Sequence, residues 1–174
     1  MLVCTWDLES SHLKANFAQL LTSAIKPYGW GKPTIFVRDN LPSSDDRKLL
    51  KQTRDELEKY DIIITYYGTK FDLPLLQSRL IHFGMAPLSF KGHIDAYNTA
   101  KKYINTHSRR LQVISEFFGI QGKGRVVPAD WVEAAYDGNQ TALNKIAQHN
   151  KEDVEVLEET WELIKHFCRG IQWR

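Results

Sequence analysis

Five residues in three places have the types and spacing for joint chemistry. Asp7 and Glu9 stand one residue apart in the strand-like run LVCTWDLES at 2–10, Asp72 lies two residues before Pro74, and His149 and Asp153 are one helical turn apart. Strand side chains alternate faces, so Val3, Thr5, Asp7 and Glu9 share one face and Leu2, Cys4, Trp6 and Leu8 the other. Two carboxylates on one side of a buried strand repel each other and are costly to desolvate. Either this strand end is exposed or a cation neutralises it. Asp72, and likewise Asp95, can be read as a helix cap. Asp153 is harder to explain so simply. It falls with His149 on the stripe formed by Ile146, Leu157, Trp161, Ile164 and Cys168 at helical spacing, where no basic residue is at hand to pair with it.

Asp7, Glu9, Asp72 and Asp153 together make an oxygen-only ligand set. Such a set suits Mg²⁺ or Mn²⁺ better than metals that favour thiolate or imidazole. Acids clustered in this way can hold two cations about 3.5–4 Å apart, an arrangement used for in-line displacement at phosphate.

The elements that must position these residues read as α/β. After the first strand, Leu13, Phe17, Leu20, Leu21, Ala24 and Ile25 have helical spacing, while Leu21, Ser23 and Ile25 also alternate as in a strand; periodicity slightly prefers the helix. A turn at 27–31 leads to a short strand at 34–38. Ser43 or Ser44 can cap a charged helix running to about Lys59. The apolar run at 61–65 predicts a central strand buried on both faces. A helix from Asp72 to about Phe83 follows, closed by Gly84. A strand at 91–94, a helix at 95–103 and helices at about 110–118, 129–136 and 141–167 complete the chain. Strands come first and helices interleave, then dominate.

Three segments then resemble a known family. WDLE at 6–9, ITYYGTKFDLPLL at 64–76 and HNKEDVEVL at 149–157 are similar to the three exonuclease motifs of the DEDD superfamily, which has a ribonuclease H-like fold. They resemble in particular the 3′–5′ exonuclease domain of family-B DNA polymerases and related stand-alone nucleases. HSRRLQVISEFFGI at 107–120 shares the family's look, so the likeness spans nearly the whole chain, 1–174, as a single domain. The resemblance implies that Asp7, Glu9, Asp72 and Asp153 are catalytic acids holding two Mg²⁺ or Mn²⁺ ions. It also implies that residues 19–27 form the second strand of a hairpin, against the periodicity, within a five-stranded mixed sheet flanked by helices. The implied activity is metal-dependent 3′–5′ hydrolysis of single-stranded DNA or RNA, releasing nucleoside 5′-monophosphates. A nuclease-like binding module and a structure-specific endonuclease are the alternatives.

Two positions depart from the family pattern. Tyr67 stands where relatives often carry Asn, and His149 gives H-x-x-x-D in the slot where the tyrosine type has Y-x-x-x-D. The histidine type spaces its His one residue further away. A histidine, with an unperturbed pKa of ~6.5, can act as general base, so His149 is a candidate catalytic residue, the other reading being a structural helix histidine. For substrate contacts, Lys101, Lys102, His107, Arg109 and Arg110 form a basic cluster around Tyr103, and Lys123 and Arg125 lie in a Gly-rich loop. Basic groups contact phosphates and aromatics stack on unpaired bases. Tyr66, Tyr67 and Phe71 either wedge the terminal nucleotide or fill the core.

Bulk properties set the limits. The 174 residues have 43% hydrophobic content and a net charge of +2, which fits a folded globule and allows, without requiring, a polyanionic partner. Cys4 and Cys168 form no Cys/His cluster, which argues against a zinc site or a disulfide framework. With no membrane-length apolar run and no room for a leader before Trp6, the expectation is a soluble, cytoplasmic protein that engages a nucleic-acid 3′ end, with a separate polymerase or repair protein as partner.

Overall fold

The computed structural model describes residues 1–121, 126–168 and 172–173; the predicted Lys123 and Arg125 contacts lie outside these. Strands β1 (Val3–Ser10), β2 (Leu20–Pro27) and β3 (Thr34–Val37) form an antiparallel meander. Strands β4 (Ile62–Thr65) and β5 (Gly92–Asp95) add in parallel beside β1, and a two-residue β6 (Gln172–Trp173) pairs antiparallel with β5. The sheet order is β3-β2-β1-β4-β5-β6, so the five expected strands form a mixed sheet with β1 at its centre and a short sixth strand at one edge.

Helices cover both faces. Cys4, Trp6 and Leu8 point into a core shared with α1 (Arg47–Leu57) and α2 (Asp72–His82). Ile62 and Ile64 face the other way, against α3 (Ala96–Tyr103) and α6 (Gln140–Ile164). Helices α4 (Leu111–Phe117) and α5 (Pro128–Asp137) complete that second layer.

The segment that periodicity favoured as a helix is strand β2, as the resemblance implied. Leu20 to Ile25 are all buried, because β2 is flanked by β1 and β3 and covered on both faces. The helical spacing had enlisted Leu13 and Phe17, which are exposed residues of the β1–β2 connection. Helix α1 begins at Arg47, later than a Ser43 or Ser44 cap would place it. The Ser43 hydroxyl accepts the Asp45 N–H at 3.2 Å in a local turn. Asp46 turns inward, accepting from the Leu20 N–H at 2.8 Å and from Arg79 Nη2 at 2.7 Å. The basic first turn, Arg47 and Lys48, is offset instead by Asp45, whose carboxylate accepts the Arg47 N–H at 3.1 Å and pairs with its guanidinium.

Candidate active site

Strand β1 delivers the first two acids at its C-terminal end. Alternation puts Thr5, Asp7 and Glu9 on the face covered by α6, where the Thr5 hydroxyl donates to the Val154 carbonyl at 3.0 Å. Asp72 is the first residue of α2 and not its cap. Its Oδ1 accepts the Leu8 N–H at 3.3 Å, so the second motif is tied to the first. Asp95, by contrast, is a true cap. It accepts the Tyr97 N–H at 3.1 Å and also holds the Tyr67 and Thr69 N–H groups at 2.8 and 3.0 Å.

Asp7, Glu9, Asp72 and Asp153 line one cleft of ≈ 480 Å³, together with Lys14, Lys70, Tyr67 and Phe71. On α6, Asn150 and Val154 take the fully buried positions, while the side chains of His149 and Asp153 flank them at 28% and 30% exposure. His149 Nε2 lies 3.3 Å from Asp153 Oδ2, and one ligand atom each from Glu9, His149 and Asp153 fall within 4.8 Å of one another. The imidazole also meets the Trp131 ring edge-on at 6.5 Å between centroids.

The electrostatics are those of acids crowded together out of water. Burial, then Asp72, Asp153 and Glu9, hold Asp7 well above the ordinary carboxylate range, opposed by the Asn150 hydrogen bond. Glu9 is pushed up to about 8, by burial first and then by Asp153 and Asp72, against a hydrogen bond from Trp131. Asp72 is pushed up to about 7 by burial, with Asp95 adding to it and the Leu8 N–H opposing. Asp153 is raised by burial and Glu152, with His149 opposing. Among the described residues no lysine or arginine makes an ion pair with any of the four. Such a set of acids, without a paired lysine or arginine, is one that a divalent cation could neutralise.

The expected substrate residues divide. Tyr67 and Phe71 line the cleft. Tyr67 is 46% exposed and has a left-handed backbone, φ 69°. The next residue has to be glycine, since a Cβ on Gly68 would sit 2.2 Å from Thr65 Oγ1. Lys101, Arg109 and Arg110 are not among the cleft's lining residues. Lys101 is exposed on α3, and Arg110 is exposed at the N-cap of α4. The Arg109 carbonyl accepts the Tyr66 hydroxyl at 2.6 Å, so the basic segment abuts the cleft through a residue of the second motif.

Sequence reasoning missed Lys14, Lys70, Trp131 and Asn150. Trp131 Nε1 donates to Glu9 Oε2 at 2.9 Å, and Asn150 Nδ2 donates to Asp7 Oδ2 at 2.6 Å. A usable signal existed for Asn150, an amide four residues from both Ile146 and Val154 and so within the apolar stripe. Trp131 carried none, because its partner is 122 residues away.

Comparison with known proteins agrees with this architecture. The family model of the RNase_H superfamily matches residues 4–166. A DNA polymerase of Pyrococcus glycovorans is 27% identical over 147 residues, covering 71% of this chain and 18% of that protein. The family B DNA polymerase from the hyperthermophilic archaeon Pyrobaculum calidifontis superposes with a TM-score of 0.70 at 17% identity, over 93% of this chain and 24% of that one. The chain therefore spans a quarter or less of these relatives' length.

Proposed function

Because the chain belongs to the RNase_H superfamily, we propose that it is a metal-dependent 3′–5′ exonuclease, acting in the cytoplasm on single-stranded DNA or RNA and releasing nucleoside 5′-monophosphates. The observation that carries this reading is the convergence of four carboxylates from three distant segments on one cleft, with no lysine or arginine among the described residues paired to them. That donor set fits Mg²⁺ or Mn²⁺, which take oxygen ligands. Two such ions, held by Asp7, Glu9, Asp72 and Asp153, supply activation of water and stabilisation of charge on the leaving oxygen.

The remaining work falls to the chain itself. His149 Nε2, beside Asp153, takes the proton from the attacking water. Tyr67 and Phe71 offer faces on which the terminal bases stack, and Lys14 and Lys70 meet the phosphates next to the acids. Lys101, Arg109 and Arg110 extend the basic track for the strand leading into the cleft. The relatives' names, DNA polymerases, support a polymerase or repair protein as the working partner.

End-labelled single-stranded DNA and RNA incubated with Mg²⁺ or Mn²⁺ test the proposal. A 5′-label should yield a ladder shortening from the 3′ end, and a 3′-label should appear as mononucleotide at once. Internal cuts would favour the endonuclease, and retention without cleavage the binding module.

A further inference from the structure

Asp7 is held by a side chain that is itself locked in place. Asn150, on α6, is wholly buried; its Nδ2 donates to Asp7 Oδ2 at 2.6 Å and its Oδ1 accepts the Thr22 hydroxyl at 2.9 Å. Thr22, on β2, is equally buried and stands opposite Glu9 in the β1–β2 register. With Asp7 ionised, as a cation would require, the chemistry of the three groups permits one arrangement. A carboxylate only accepts, so the NH₂ of Asn150 must face Asp7, and its oxygen is left for a hydroxyl that must donate.

We propose that Asn150, clamped by Thr22, is a positioning residue of the metal centre: it ties down Asp7 Oδ2 and leaves Oδ1 as the oxygen for a cation. This rests on the reading of the four acids as metal ligands. Neutrality of the donor matters. A lysine here would orient Asp7 as well, but would cancel the charge that a cation needs. Two of the other three acids follow the same rule, since Glu9 is held by the Trp131 N–H and Asp72 by the Leu8 N–H. None of these donors brings a positive charge, and each fixes its acid, so less ordering remains to be done when the ion binds.

Mn²⁺ binding to the full chain, read from the loss of the free-ion EPR signal, tests this without turnover. Asn150→Ala should weaken Mn²⁺ binding by roughly 10–100-fold, the usual effect of removing a ligand's hydrogen-bond partner. Thr22→Val keeps the volume and touches no ligand; it should weaken binding to a smaller extent, and add nothing in the Asn150→Ala background. Asp7→Asn is the control. If the wild type takes up no Mn²⁺, the metal reading fails and the positioning role with it. If Asp7→Asn loses Mn²⁺ while Asn150→Ala, folded by its melting curve, binds like the wild type, the positioning role alone is overturned. Should Asn150→Ala not fold, Thr22→Val decides, and unchanged Mn²⁺ affinity there overturns the clamp.

Discussion

Asp7 and Asp153 are both acids of one cleft, yet their removal should differ in consequence. Either alanine substitution should abolish cleavage, read as loss of labelled mononucleotide. In chelator, Asp153→Ala should raise the melting temperature, because it removes a partly desolvated acid that, among the described residues, has only His149 as an ion-pair partner. Asp7→Ala relieves more repulsion but strands the buried Asn150 amide, a cost of about 1–3 kcal/mol that offsets the gain. Its melting temperature should therefore stay close to wild type. His149 makes a sharper test. As general base, its loss in His149→Ala should slow the single-turnover rate at saturating metal by roughly 10²–10⁴ while leaving substrate binding unchanged. Recovery in His149→Tyr would identify the slot as catalytic; an alanine variant matching wild type in both rate and pH profile would make His149 structural.

At the scale of elements, the turn between β4 and α2 combines strain with exposure. A tyrosine at φ 69° costs about 1–2 kcal/mol relative to ordinary backbone. Tyr67→Gly removes that cost but forfeits the edge-on contact with Tyr97, at 4.8 Å between centroids and worth about 0.5–1.5 kcal/mol. Stability should thus change by less than about 1 kcal/mol, while single-strand binding falls by about 1–3 kcal/mol if a base stacks there. Paired thermal melts and gel-shift titrations separate the two; unchanged binding would remove Tyr67 from the substrate site. Elements with one dominant signal were legible in the sequence. Strand β4 and helices α2, α3 and α6 lie within a few residues of their expected places because burial and periodicity agree there. Strand β2 was legible only by resemblance, since burial on both faces erases alternation. That the four acids would share one cleft was legible because motifs carry their own spacing. Lys14 and Lys70 could not, because a surface lysine looks alike in sequence whether it faces a cleft or solvent.

For the whole molecule, the acid cluster ties stability to pH and to metal. The folded-state pKa values of Asp7, Glu9, Asp72 and Asp153 are all raised, Asp72 to about 7 and Glu9 to about 8, so from about pH 4 up to those values the folded chain holds protons that the unfolded chain has released. In chelator, this contribution to stability is greatest below pH 4 and declines as pH rises through that window. Mg²⁺ or Mn²⁺ should reverse the trend, stabilising by about 2.7 kcal/mol at a hundred times its dissociation constant, and more strongly at pH 8 than at pH 5. Thermal melts across pH with and without metal check both signs, and a metal-free chain that still degrades nucleic acid would end the two-ion mechanism. One last consequence concerns the ribosome. The hydrogen bond from Asn150 to Asp7 joins residues 143 positions apart, and the three cleft acids before it, Asp7, Glu9 and Asp72, lie in the first half of the chain. A growing polypeptide displays Asp7, Glu9 and Asp72 long before α6 brings Asp153, so the four acids cannot meet until then. On the activity proposed above, cleavage of any nucleic acid near the ribosome, the translated messenger included, therefore waits until α6 has docked.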